Sequence, residues 1–115
     1  MITNLTRFKP PRVNWKKFKN KILGASYDLS LVFAGSKEMA RMNKIYRGKN
    51  KPANVLAFPL GVNFGEIFIN LPLARKELVF LYIHALLHLK GFKHDTQKQL
   101  KIMNRAEQKW LKILS

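Results

Sequence analysis

The sequence predicts a single domain of the α/β class, more narrowly α+β. A small mixed β-sheet is expected to be covered by helices, with one buried helix at its centre. Three observations predict this. The 115 residues suffice for one ordinary domain, residues 1–115, and not for two. Apolar residues make up 47% of the chain, which is enough for a real core. Helical and strand periodicities alternate in the order αβαββαα.

The first half of the chain contains two predicted helices and one strand. Asn14 is placed to cap a helix that Gly24 ends, and Trp15, Phe18 and Ile22 share one face of it. Residues 29–33 form an apolar run typical of a strand. A second helix is predicted to open at its capping residue. Ser36 is the predicted cap, and the residues expected to face inward are Met39, Met42 and Tyr46.

Two more strands are predicted after a polar loop over residues 47–54. The first covers Val55 to Phe58 and ends at Pro59, because proline cannot continue a sheet ladder. Gly61 to Gly65 gives a turn, and residues 66–69 form the next strand.

The C-terminal part of the chain is predicted to be helical. Residues 73–89 are apolar nearly all round, which places that helix inside the fold, and Gly91 ends it. Thr96 and Gln99 form a capping box for a last helix. Its apolar stripe comprises Leu100, Met103, Trp110, Leu111 and Leu114.

The charge balance predicts a polyanionic partner. Lysine and arginine total 22 against six acids, so the formal net charge is +16. Such a charge destabilises the compact state by self-repulsion, and an anionic partner relieves it. Nucleic acid is the first candidate and an anionic membrane surface the second, with general lysine enrichment as the alternative without a partner.

The composition also bears on compartment. The chain has no cysteine, which excludes disulfides, thiolate metal ligands and a cysteine nucleophile. Its N-terminus lacks the apolar run of a signal peptide, and its longest apolar stretch, residues 78–89, is too short to span a bilayer. We expect a cytoplasmic protein that does not insert into a membrane. No feature predicts an oligomeric state.

All three histidines fall within eleven residues. His84 and His88 are one helical turn apart, so they project from the same face and can bind one ion. A left-handed turn at Gly91 would bring His94 to that ion. Three protein ligands leave one position open on a tetrahedral metal, which is typical of a catalytic site. The alternative is that the two helix histidines make polar contacts only. It is disfavoured because an unpaired imidazole in a buried apolar helix is costly.

The residue beside the first histidine bears on the reaction. Zinc proteases with a His-Glu-x-x-His sequence use that glutamate as general base, and Ala85 stands there in this chain. Peptidase chemistry by that route is therefore disfavoured.

Two blocks of sequence resemble a known family. Residues 84–95, HALLHLKGFKHD, resemble the H-G-x-L-H-L-x-G-Y-D-H signature of the YbeY family. Residues 43–59, NKIYRGKNKPANVLAFP, are similar to that family's N-x-x-Y-R-G-K-D-K-P-T-D-V-L-S-F-P, and residues 65–67 to its G-D-I strand. The departures from the pattern include Asn54, Ala57, Ala85 and Lys93, and the segment before the histidine helix is shortened.

The resemblance implies a zinc-dependent endoribonuclease that acts on single-stranded RNA. It further implies a role in maturation of the 16S rRNA 3′ end and in ribosome quality control, with the small ribosomal subunit as partner. The resemblance also implies that His84, His88 and His94 are the ligands of one Zn²⁺ per chain. We assign catalytic roles to Arg47 and His84.

The implied parts suggest how cleavage would proceed. A guanidinium matches two phosphate oxygens, so Arg47 would clamp the phosphate in the transition state. Whether a water on the metal or the RNA 2′-hydroxyl attacks is left open. Glu66 and Asp95 are weak candidates for a general base. Three aromatic residues, each more typical of core packing, could stack on bases: Tyr46, Phe64 and Phe92.

Two other functions remain open from the sequence. One is a non-catalytic RNA-binding or ribosome-binding module that a metal stabilises. The other is a metal-dependent hydrolase of another phosphoester or of an amide.

Overall fold

The computed structural model describes residues 1–49, 51, 53–71 and 75–114. Within them, the chain forms four strands and four helices. In chain order these are β1 (Ile2–Asn4), α1 (Trp15–Leu23), β2 (Asp28–Ala34), α2 (Ser36–Arg47), β3 (Val55–Pro59), β4 (Phe64–Asn70), α3 (Arg75–Lys90) and α4 (Gln97–Leu114). No described helix combines the length and the hydropathy needed to cross a bilayer.

The strands form one mixed sheet in the order β1-β2-β4-β3. β1, β2 and β4 run parallel, and β3 is antiparallel to β4. The predicted mixed sheet is therefore confirmed, but β1 was not predicted. It has three residues and no apolar alternation, so only its pairing with β2 makes it a strand.

The two faces of the sheet contact different helices, because successive side chains of a strand point to opposite faces. Leu31 and Phe33 of β2, with Ile67 and Ile69 of β4, belong to the large core shared with α1, α3 and α4. The residues between them face α2 and form a smaller core. That smaller core contains Val32, Ala34, Met39, Met42, Leu56 and Phe68.

α3 lies at the centre of the large core, as its sequence predicts. It contacts α1, α4, β3 and β4. Its buried side chains are Leu78, Tyr82, Ile83, Ala85, Leu86 and Leu87. The predicted start at residue 73 lies outside the described residues, and the described helix begins at Arg75. Burial on several sides leaves this helix little freedom to shift.

Two hydrogen bonds tie α3 to α1. Tyr82 is 1% exposed, and its hydroxyl donates to the Trp15 carbonyl at 2.9 Å. At the C-terminal end of α3 the Lys90 ammonium donates to the Ile22 carbonyl at 3.0 Å. Both bonds fix the position of α3 along its own axis relative to α1, and therefore the position of its histidines.

The structure corrects three details of the predicted helices. Gly35, not Ser36, is the N-cap of α2, and the Ser36 hydroxyl instead accepts a hydrogen bond from the Asn70 side chain at 3.0 Å. Tyr46 is 61% exposed rather than inward-facing. Leu100 is also exposed, because the buried face of α4 centres on Met103 and Glu107. The side chain of Leu114 lies outside the described residues.

We expect Tyr82→Phe to lower the free energy of unfolding by about 1 kcal/mol, because it removes a buried hydrogen bond while keeping the ring. Tyr27→Phe is the matched control, since the buried Tyr27 hydroxyl has no partner among the described residues. Urea denaturation of both variants measures the difference. Equal losses for the two variants would contradict a special role for the Tyr82 bond.

Candidate metal centre

The structure brings the three predicted histidines together. His84 and His88 project from one face of α3, with their Nε2 atoms 3.1 Å apart. The His94 ring lies 5.6 Å from the His84 ring and 4.8 Å from the His88 ring, measured between centroids. One nitrogen from each residue falls within 4.8 Å of the others. The group lies at the end of the large core, with His84 and His88 half-buried and His94 exposed.

The turn at Gly91 returns the chain to α3, as predicted. Gly91 has φ 115°, in the left-handed region that glycine adopts without strain. The Gly91 N–H donates to the His88 carbonyl and the Phe92 N–H to the Leu87 carbonyl, both at 3.0 Å. This pair of bonds is a Schellman motif. The capping box then starts α4, with Thr96 Oγ1 accepting from the Gln99 N–H at 3.1 Å. His94 therefore lies in a short segment between the fixed C-terminal end of α3 and the fixed N-terminal end of α4.

The arrangement of the nitrogens suits a metal ion. Nitrogen ligands at 2.0–2.1 Å from a tetrahedral ion lie about 3.3 Å from each other. The 3.1 Å separation of the His84 and His88 nitrogens is close to that spacing. Two imidazoles brought this close would repel if both were protonated, whereas a shared cation satisfies both lone pairs. The three-histidine group can therefore hold one divalent ion.

Glu107 of α4 supports this group from behind. Its carboxylate is 3% exposed and accepts a 2.5 Å hydrogen bond from His84 Nδ1. A carboxylate on Nδ1 fixes the imidazole tautomer and leaves the Nε2 lone pair directed toward His88. The contact is characteristic of histidines that bind metals.

Glu107 was not among the residues predicted from the sequence. A signal was present, because Glu107 lies four residues after Met103 and three before Trp110, on the apolar face of α4. It is also the only acid in that helix. A lone carboxylate on an apolar face needs a buried partner. Only the packing of α4 on α3 identifies that partner as His84.

The electrostatics keep His88 in its neutral form. Burial lowers the pKa of His88, and the neighbouring imidazoles of His84 and His94 lower it further. The positive charge of Arg47 acts in the same direction. A lowered pKa means that the ring stays unprotonated at neutral pH, and the neutral imidazole is the form that binds a metal.

Arg47 lies beside the histidines, although the chain separates them by 37 residues or more. Arg47 and all three histidines line one cavity of about 320 Å³, whose opposite wall is β3. Arg47 was predicted in a loop and is instead the last residue of α2, which Gly48 ends at φ 67°. The Asn43 side chain holds the following segment by donating to the Lys51 carbonyl at 2.8 Å.

The other candidates have mixed outcomes. Glu66 lies on the face of the sheet toward α2, away from the histidines, so the sheet excludes it as a general base. Asp95 is exposed, and its backbone N–H donates to Gln99. Tyr46 and Phe64 are exposed enough to contact a ligand, whereas Phe92 packs against the large core.

The fold and the site define a class: a small α+β domain in which a buried helix and the turn after it form a three-histidine group able to hold a metal ion. The family model described as endoribonuclease YbeY matches residues 12–115. The chain belongs to the endoribonuclease YbeY family.

Curated relatives and one solved structure agree with this assignment. The endoribonuclease YbeY of Onion yellows phytoplasma is 31% identical, with 72% of this chain and 70% of the relative covered. That of Mycoplasma capricolum is 30% identical, with 87% and 80% covered. The solution structure of a Thermotoga maritima protein is 27% identical and superimposes with a TM-score of 0.63, covering 97% of this chain and 87% of that one.

We expect Glu107→Gln to weaken metal affinity about 10- to 100-fold, because the amide cannot reinforce the basicity of His84 as a carboxylate does. Glu77→Gln removes the same charge from an exposed position of α3 and is the matched control. Competition with a chromophoric chelator measures both affinities. Parental affinity in Glu107→Gln would show that the Glu107 contact does not support metal binding.

Proposed function

We propose that this protein is a zinc-dependent endoribonuclease that cleaves single-stranded RNA in the cavity between α3, β3 and the end of α2. The observation that carries the proposal is that Arg47 and the three histidines line the same cavity. A phosphate clamp and a metal centre are the two parts that phosphodiester cleavage most needs, and here they adjoin. Membership in the endoribonuclease YbeY family supports RNA as the substrate.

The histidines would hold the ion. His84, His88 and His94 offer one nitrogen each and leave room for a fourth ligand on the cavity side. Neutral nitrogen ligands of this kind suit zinc. A bound zinc ion would supply a Lewis acid that polarises a phosphoryl oxygen and acidifies water. Glu107 would keep His84 oriented throughout, because its carboxylate has no other partner among the described residues.

Arg47 would bind the scissile phosphate. Its guanidinium presents parallel N–H donors that match two non-bridging oxygens and carries the charge that offsets developing negative charge. The position of Arg47 at the C-terminus of α2 also suits a cation, because carbonyl dipoles point toward it. Gly48 ends the helix immediately afterwards in the left-handed conformation, with its N–H bonded to the Asn43 and Lys44 carbonyls.

β3 provides a wall that suits an extended strand. Among the described residues it is an edge strand, since β4 alone pairs with it there. Asn54 and Leu60 hydrogen-bond across to Asn70 and Phe64, so the alternation of an antiparallel ladder directs the backbone groups of Val55 and Ala57 to the free edge. Both residues line the cavity. Their N–H groups would be donors for the RNA backbone.

The aromatic pair beside the clamp would bind a base. The exposed ring of Tyr46 packs on the half-buried ring of Phe58, with centroids 5.0 Å apart, and Phe58 packs on Phe68. This support holds Tyr46 in place one residue before Arg47. Stacking on an aromatic face accepts any base and requires that the base be unpaired. Single-stranded RNA is therefore the preferred substrate of this site.

The biological setting completes the proposal. The resemblance of residues 43–59 and 84–95 to the YbeY signatures supports a role in 16S rRNA 3′-end maturation and ribosome quality control. The partner would then be the small ribosomal subunit, and the compartment the cytoplasm. The net charge of +16 supports a partner that is rich in phosphate.

We expect Arg47→Ala and His88→Ala to lose activity in different ways. His88→Ala should lose metal and cleavage together. Arg47→Ala should keep metal and fold but lose on the order of 10²-fold or more in kcat, because a charge clamp acts on the transition state. Arg47→Lys should restore only part of the rate, since lysine lacks the planar fork. Cleavage of a fluorogenic single-stranded RNA and elemental analysis provide the two readouts.

Two outcomes of that experiment would overturn parts of the proposal. If the metal-loaded protein cleaves no single strand faster than His88→Ala, a non-catalytic RNA-binding module becomes the better description. Parental rates in Arg47→Ala would leave the metal centre in place and remove Arg47 from the mechanism.

We expect Tyr46→Ala to raise KM for single-stranded RNA by about 5- to 150-fold, the range that loss of one stacked base allows. Tyr46→Phe should keep a KM close to the parental value, because it keeps the ring. Steady-state kinetics at constant salt would measure both. A similar loss in the two variants would show that the hydroxyl, not the ring, makes the contact.

A further inference from the structure

The outer face of α4 carries a row of cations that the proposed active site does not use. Lys98, Lys101, Arg105, Lys109 and Lys112 follow one another at spacings of three or four residues, and all five are exposed. At 3.6 residues per turn they fall within an arc of about 80° on the helix surface. We name these five residues the α4 basic row. It rises about 21 Å along the helix axis.

The α4 basic row is a surface distinct from the metal centre. Glu107, the only acid of α4, points to the opposite side of the helix and is bonded to His84. The row therefore faces away from the large core. Its first residue, Lys98, is only four residues after His94 in the chain, but none of the five row residues lines the metal cavity.

The row destabilises the helix that carries it. Like charges three or four residues apart on a helix repel each other. Lys98 also lies in the first turn of α4, where the helix dipole disfavours cations and where this helix has no acid. Within the described part of the chain, Lys98, Lys101 and Arg105 form no ion pair. An external anion that spans several of these residues would relieve the repulsion.

We propose that the α4 basic row is a second RNA-binding surface, which holds the sugar-phosphate backbone of a strand that extends beyond the metal cavity. The choice of RNA rests on the proposed function, which this inference deepens. A straight row of point charges matches a linear polyanion and has no selectivity for sequence. Its length suits about four nucleotides, the lower end of the range for single-strand binding sites. The surface would select long RNA over short fragments.

The test compares two triple variants of the full-length, metal-loaded protein. Lys98→Gln/Lys101→Gln/Arg105→Gln removes three charges from the row. Lys16→Gln/Lys17→Gln/Lys21→Gln removes three exposed charges from α1 and leaves the same net charge. The probe is a fluorescein-labelled, 2′-O-methylated single-stranded oligoribonucleotide, which resists cleavage. Fluorescence anisotropy over a series of salt concentrations gives the dependence of log K on log salt.

The α4 variant should show a salt dependence shallower by about 2 in slope, since each phosphate contact on a single strand contributes roughly 0.7. The α1 variant should keep the parental slope. The α4 variant should also melt on the order of a few degrees higher at low salt, because it loses repulsion within the helix. Its cleavage rate on a short RNA that fills only the cavity should equal the parental rate.

Three results would overturn the proposal. Equal changes of slope in the two triple variants would mean that binding is spread over the whole basic surface. An unchanged slope in the α4 variant would mean that the row does not contact RNA. Loss of binding to phosphatidylserine vesicles, with RNA binding intact, would assign the row to a membrane surface instead.

The test separates this inference from the proposed function. RNA binding that depends on the α4 basic row, in a protein that cleaves nothing, would overturn only the endoribonuclease activity. If the parent protein cleaves RNA and the α4 variant binds RNA as the parent does, only the proposed role of the α4 basic row would be overturned.

Discussion

The site depends on how α3 is packed. A helix buried against α1, α4, β3 and β4 can place two imidazoles with little freedom of movement, and it can expose them only where its neighbours leave a gap. That gap is the cavity toward β3 and the end of α2. The imidazole of His84 is held on its other side by Glu107, so one helix face is fixed by both the core and a buried carboxylate. The hydrogen bonds of Tyr82 and Lys90 to α1 fix the position of this helix along its own axis.

The few acids of this chain serve separate purposes. Glu38 pairs with Arg41 on the surface of α2, where a pair contributes little to stability. Glu107 is buried and makes its bond inside the protein. With six acids against 22 lysines and arginines, the chain has too few acidic side chains to pair with most of its cations. The net charge of +16 entails self-repulsion in the folded chain, and a polyanionic partner of the kind proposed above would relieve it.

Helix ends determine most of the geometry around the cavity. Gly48 ends α2 at the residue after Arg47, and Gly91 ends α3 three residues before His94. Both glycines have positive φ, so a side chain at either position would strain the turn and displace Arg47 or His94 from the cavity. Within the described residues β3 is an edge strand, and it lines the same cavity. Residues from three separate segments of the chain thus meet at one point through turns and an edge, not through the regular elements alone.

Elements whose signals are local could be predicted from the sequence alone. The apolar character of α3, the one-turn spacing of His84 and His88, the Gly91 stop and the Thr96 capping box each depend on residues within a few positions of one another, and each was predicted correctly. The remaining features of the fold and the site could be read only from how the elements pack together. Strand β1, the bond of Glu107 to His84, the place of Glu66 on the far face of the sheet and the exposure of Tyr46 all depend on residues far apart in the chain. Periodicity reports the environment along one element, whereas these contacts are set by which elements pack together, and that is a property of the whole chain.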